Sequence, residues 1–83
     1  MQKKSLTKDE MYLVRLKEMA ESSGDLFQEI DRYKVGQAIG QNNRSVDNIV
    51  RMLAQANFIK KGEGESIYLT PNGIALVASL LAS

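Results

Sequence analysis

The chain has 83 residues, 43% of them hydrophobic, and contains no cysteine, histidine or tryptophan. That length makes one domain near the lower limit of what folds without staples, and the missing thiols and imidazoles exclude disulfides, thiolate or imidazole metal sites and the commonest general base. The net charge of +1 is unevenly divided: residues 1–31 carry five Lys/Arg against seven Asp/Glu, residues 32–61 six against one, and residues 62–83 none against two.

Met1-Gln2-Lys3-Lys4 leads into a charged segment and not into the apolar run of a signal peptide. No apolar stretch is long enough to cross a bilayer; a cytoplasmic location is expected. The first helix is expected over about residues 8–21. Thr7 is its cap, with Glu10 three residues on to complete a capping box, and Leu6 and Met11 stand at the staple positions. Asp9 and Glu10 suit the positive end of that helix, which assigns the adjacent carboxylates to capping and not to acid/base chemistry. Leu13, Leu16 and Ala20 run along one line, with Tyr12 and Met19 beside it. Ser22-Ser23-Gly24-Asp25 ends the helix, and Leu26 to Ile30 fits either a helical turn or a short extended piece.

Asp31 is the expected cap of a second helix over about residues 32–39, with Tyr33 or Val35, Ala38 and Ile39 inward. Gly40 stops it, because glycine enters the left-handed region at low cost. Asn42 or Asn43 opens a third helix over about residues 43–56. Its Val46, Ile49, Val50 and Leu53 keep the spacing of an apolar stripe. The opposite side carries Arg44, Ser45, Asp47, Asn48 and Arg51. These are short or planar hydrogen-bonding groups, and Arg and Asn pair bidentately with guanine and adenine edges in a major groove. Two short helices across a Gly-containing turn, the second bearing cations and amides, form the helix-turn-helix pattern.

Asn57 suits a left-handed cap. Phe58 to Lys61 and Ser66 to Thr70 have strand composition, and Gly62-Glu63-Gly64-Glu65 between them is a turn, giving a two-stranded hairpin over about residues 58–70. Thr70-Pro71 begins a last helix over about residues 71–82. From Ile74 to Ala82 only Ser79 is polar. A helix apolar all round needs cover on more than one side. Either its alanines are simply exposed, or Ile74, Val77, Leu80 and Leu81 form a homodimer interface together with the first helix; the dimer is the expectation.

This order of elements resembles the winged helix-turn-helix domains of bacterial and archaeal transcription regulators, MarR-like, ArsR-like and PadR-like proteins among them. The resemblance covers nearly the whole chain as a single domain. Val35-Gly36-Gln37-Ala38-Ile39-Gly40 looks like the family's second helix, and Asn43 to Leu53 like its recognition helix. Asn57-Phe58-Ile59 stands where the family has Gly and two apolar residues, and Tyr68 to Gly73 is similar to the segment leading from wing to last helix. The fold class implied is α+β, mainly α: three helices with a helix-turn-helix, a two-stranded wing and a C-terminal helix. Two features depart from the pattern. The wing tip holds Glu63 and Glu65 where the family often has Arg or Lys, and Asp47 lies on the outward side of the recognition helix.

The leading expectation is sequence-specific binding of double-stranded DNA by a small dimeric transcription regulator. Asn43, Arg44, Ser45 and Asn48 would face base edges or nearby phosphates, while Arg51, Lys34, Lys60 and Lys61 hold the backbone. The alternative is a winged-helix protein–protein module without DNA binding, since fold alone does not fix function. Nothing in the sequence points to an enzyme, a cofactor, a metal or a small-molecule effector: Gly62-Glu63-Gly64 is no phosphate cradle, as its glutamates repel anions.

Overall fold

The structure is a computed structural model that describes residues 5–82; the N-terminal reading of Met1 to Lys4 lies outside them. The elements in order are α1 (Lys8–Ser22), β1 (Ile30–Asp31), α2 (Arg32–Ala38), α3 (Asn43–Gln55), β2 (Ile59–Lys61), β3 (Ser66–Leu69) and α4 (Pro71–Ala82). The chain is thus α+β and mainly helical.

α1 begins where its capping chemistry predicts. The Thr7 hydroxyl accepts from the Glu10 amide at 3.2 Å, and the Glu10 carboxylate accepts from the Thr7 amide at 2.9 Å. Tyr12, Leu13, Leu16 and Ala20 are its buried residues. The stretch after α1 resolves into both of the forms that its composition allowed. The Asp25 carboxylate accepts from the Phe27 amide at 2.9 Å and the Asp25 carbonyl from the Gln28 amide at 3.0 Å, making a turn at Leu26 and Phe27. The extended piece that follows is β1.

β1 corrects the expected two-stranded hairpin. The sheet is three-stranded and antiparallel in the order β1-β3-β2, with Ile30 opposite Ile67 and Asp31 opposite Ser66. A strand of two residues has no period of its own, and its partner lies far along the chain. In the central strand, Ile67 and Leu69 are buried while Ser66 and Tyr68 are half-buried on the other face, the alternation of a sheet with one face on the core.

The Asp31 carboxylate accepts from the Tyr33 amide at 2.8 Å and starts α2. Val35 and Gly36 are buried, but Ala38 is exposed, contrary to its expected inward position. The helix ends at Ala38 and the chain turns away before that side meets a neighbour. Gly36 sets how closely α2 and α3 cross: a Cβ there would collide with Val46 Cγ2. The four-residue turn that follows contains Gly40 at φ +75°, and the Gln41 amide donates back to the Gly36 carbonyl at 2.9 Å. Asn42 caps α3, its side-chain oxygen accepting from the Ser45 amide at 2.9 Å.

α3 buries Val46, Ile49, Val50 and Leu53, and Asn57, two residues past its end, turns the chain away with φ +66°. Thr70 joins three elements beyond this point. Its hydroxyl donates to the Asn57 carbonyl at 2.6 Å and accepts from the Gly73 amide at 3.0 Å, and its amide donates to the Phe58 carbonyl at 3.1 Å. Residues from α1, α2, α3, the sheet and α4 meet in one hydrophobic cluster.

Only one side of α4 is covered. Gly73 and Val77 are buried, Ile74 and Leu76 pack half-buried against the core, and Ala75, Ala78 and Ala82 are exposed. Val77 therefore leaves the predicted dimer interface: it is fully buried within one chain, because the α4 turn carrying it faces the core cluster. Burial of a valine side chain stabilises by roughly 1.5–3 kcal/mol. Leu81, 57% exposed, remains on the outer side.

Candidate nucleic-acid interface

The inward spacing of Val46, Ile49, Val50 and Leu53 forces Arg44, Asn48, Arg51 and Gln55 onto the opposite side of α3, where all four are exposed. Arg44 and Asn48 are therefore not folded against the body of the molecule. The Arg44 guanidinium makes no hydrogen bond or ion pair with any described residue. Arg51 Nη2 donates to Asn48 Oδ1 at 2.6 Å. The bond uses one lone pair of the Asn48 carbonyl, and the Asn48 NH₂ group and the Arg44 guanidinium belong to exposed residues and remain available as donors. The ridge is thus donor-rich, matched to phosphate oxygens or to the N7 and O6 acceptors of guanine.

Asn43 is exposed at the first position of α3. Ser45 does not join the ridge as expected. Its hydroxyl donates to Gln41 Oε1 at 2.7 Å, half-buried, so it closes the turn before α3 and does not face outward.

Asp47, the carboxylate expected to oppose phosphate, has partners of its own. Its Oδ1 accepts from the Tyr33 hydroxyl at 2.8 Å and lies 3.6 Å from Arg32 Nη1. The Asp47 carboxylate, as acceptor of that bond, raises the Tyr33 phenol to about 12. Arg32 is a residue whose role the charge count could not give. Its side chain is only 12% exposed; its Nε and its backbone amide both donate to the Glu65 carbonyl at 3.1 Å. Its own carbonyl accepts from the buried Tyr12 hydroxyl at 2.8 Å, and burial pushes the Tyr12 phenol well above its usual value. Arg32 therefore fixes α1, α2, α3 and the hairpin relative to one another. Of the six cations in the basic middle, Lys34, Arg44, Arg51, Lys60 and Lys61 are exposed.

The β2–β3 turn is tied down from the side. The Glu29 carboxylate accepts from the Glu63 amide at 3.0 Å and lies against Gly62, and the Gly62 amide donates to the Ser66 carbonyl at 2.8 Å. Glu63 and Glu65 are exposed at the tip. An acidic end anchored in this way offers phosphate nothing.

The expected cations do not all converge. Lys34 is exposed on α2. Lys60 pairs across the sheet with Tyr68, whereas Lys61 pairs with Ile67, so successive lysines leave opposite faces. Lys60 lines a groove of about 210 Å³ with Phe27, Asn57, Tyr68, Leu69, Thr70 and Pro71. No residue of the α3 ridge borders that groove. A second, mainly apolar hollow of about 270 Å³ opens where the start of α1 meets the end of α3, lined by Leu13, Met52, Leu53, Phe58 and Leu76 with Asp9 and Glu10.

Among the described residues no cluster of His, Cys, Asp or Glu has the arrangement of a metal site, and no helix is long and apolar enough to cross a membrane. The chain matches no known family model, no curated protein and no solved structure.

Proposed function

We propose that this chain is a winged-helix DNA-binding domain of a transcription regulator, with α3 as the helix that enters the major groove of duplex DNA. The observation that carries this reading is the exposed donor ridge of Arg44, Asn48 and Arg51, set on a short turn by the close crossing of α2 and α3 at Gly36. Arg44 favours guanine at the base it meets, because a guanidinium pairs bidentately with the N7 and O6 acceptors of that base. Asn43, Lys34 and Lys61 serve phosphates. Asp47, held by Tyr33 and Arg32, contributes less repulsion than a free carboxylate would. In this reading the domain is a binding module and not an enzyme.

Two copies acting together would read half-sites about one helical turn apart. The outer side of α4, with exposed Leu81, Ala75 and Ala78, is the proposed seam of that homodimer, with α1 beside it. Sedimentation equilibrium tests it: the wild type should be dimeric at micromolar concentration and Leu81→Lys monomeric. A monomeric wild type removes the dimer but leaves the ridge.

Fluorescence anisotropy with duplexes selected from a random pool tests the central reading. Affinity should fall with salt at a log–log slope of roughly −0.9 per phosphate contact. Arg44→Ala should cost about 1–3 kcal/mol and relax the preference for guanine, while Lys61→Gln weakens all sequences alike. A flat salt response sinks the proposal.

One observation favours a second reading, a protein–protein module. Met52, on the same helix as the ridge, is 54% exposed beside the apolar hollow, and the wing tip is acidic. Absence of any binding to random duplex at low salt would select it.

A further inference from the structure

The register that builds the core also builds something on the other side of the sheet. Ile67 and Leu69 point inward, so Tyr68 between them must point outward. Lys60 is its cross-strand partner and so stands beside it on the same face. Phe27 closes the groove from the turn before β1. It is 49% exposed, and that turn is fixed by two hydrogen bonds to Asp25.

One exposed phenylalanine is ordinary on a protein surface. What sets this one apart is the company it keeps: two aromatic rings and one ammonium group around a hollow of about 210 Å³, with no carboxylate among the lining residues. The Lys60 ammonium group has no hydrogen bond or ion pair to any described residue. Glu63 and Glu65 lie at the far end of the hairpin, beyond Lys61. A cationic ligand is disfavoured there, and a purely apolar one would strip water from Lys60 with no return. A flat ring carrying an anion meets both demands: it stacks on Phe27 and Tyr68 and neutralises Lys60.

We propose that the groove between the β1 turn and the outer face of the sheet binds a nucleotide unit of an unpaired nucleic-acid strand, its base against Phe27 and Tyr68 and its phosphate at Lys60. This site is separate from the α3 ridge and does not depend on it. It gives the domain a hold on unstacked bases beside whatever duplex the ridge engages.

The test uses the full chain with a fluorescein-labelled oligothymidine at low salt, read by anisotropy, and backbone amide NMR shifts to locate the contact. Phe27→Ala and Tyr68→Val should each weaken strand binding about tenfold. Lys60→Gln should weaken it and reduce the log–log salt slope by about 0.7. Shifts should centre on Phe27, Lys60 and Tyr68, and Arg44→Ala should bind the strand like wild type. Unchanged thermal midpoints for Phe27→Ala and Lys60→Gln show that folding is intact, since both side chains are exposed. Displacement by AMP at matched nucleotide concentration would assign the same groove to free nucleotides and sustain the site. Equal displacement by a poly-glutamate peptide, strand affinity unaltered in the Phe27 and Tyr68 variants, or loss of strand binding in Arg44→Ala alone would each overturn it. Loss of duplex binding with the strand site intact would end the proposal for α3 and leave this one standing.

Discussion

Two turns of four residues, one between α2 and α3 and one between β2 and β3, look alike in length and differ in what they present. The first is closed internally, by Gln41 to Gly36, by Ser45 to Gln41 and by the Asn42 cap, and it delivers the Asn43 amide and the donor-only Arg44 guanidinium to solvent. The second is closed by Gly62 to Ser66 and by Ser66 to Glu63, is held from outside as well, by Glu29 on its near side and Arg32 at Glu65, and presents two glutamates. Both are well anchored, so their contrast is electrostatic and not a matter of order. A polyanion approaching this surface would be drawn to one turn and repelled by the other. On the proposed function, affinity for duplex should come from the helix, with the hairpin restricting how the duplex lies.

Changes that break this contrast should rank in order. Gly36→Ala changes no charge, yet its methyl group must push α3 away from α2 at Val46; overpacking of this kind costs about 1–3 kcal/mol. A lower urea midpoint and a loss of duplex affinity are both expected, and unchanged midpoints would show that the crossing distance is slack. Arg44→Ala follows, at the cost given above, with the fold untouched. Reversing the hairpin, by Glu63→Lys with Glu65→Lys, should then raise random-duplex affinity several-fold and steepen the log–log salt slope by up to about 0.9 per lysine that reaches a phosphate. No gain would show that the turn never approaches DNA.

The smallest effect sharpens the comparison at its edge. Tyr33 keeps its proton up to about pH 12, against an ordinary value of 10.0, because Asp47 accepts its hydrogen bond. A phenol whose folded value is raised contributes stability that is complete below pH 10 and lost as the pH rises through 12. Asp47→Asn should return the phenolate absorbance of Tyr33 toward 10. Tyr33→Phe should flatten part of the alkaline loss of stability, leaving the part due to buried Tyr12. A Tyr33 titration indifferent to Asp47→Asn would remove the bond from this account.

What the sequence disclosed was local. Thr7 and Glu10, Asn57, and Thr70 as the cap that accepts from Gly73 act through neighbours three residues away or through their own backbone angle, so these roles could be read directly, whereas the bonds from Thr70 to Asn57 and Phe58 could not. The roles that escaped depend on distant partners. β1 is two residues long and means nothing without Ile67 and Ser66. Arg32 counts as one more cation until the fold lays it between Asp47 and the Glu65 carbonyl. Ser45 belongs by spacing to the outward side of α3, but a glutamine just before the helix takes its hydroxyl. In α4 nearly every position is apolar, so periodicity could not distinguish the side that carries Val77 from the side that carries Leu81. The groove at Phe27 was illegible for the same reason, since its walls come from segments with nothing in common but the sheet register.

The Thr70 junction has a mechanical consequence. The last turn of α3 reaches Phe58 through the Leu53 carbonyl, at 3.0 Å, and Thr70 ties Phe58 and Asn57 to the first turn of α4. Hydrogen bonds thus link the helix proposed to touch DNA, through Phe58 and Thr70, to the helix proposed to touch a second copy. Tilting one must drag the other, so the spacing between two reading helices in an assembled pair would behave as a stiff ruler. Hydrogen exchange offers the check: Asn57, Thr70 and Gly73 should gain or lose protection as one unit when duplex is added.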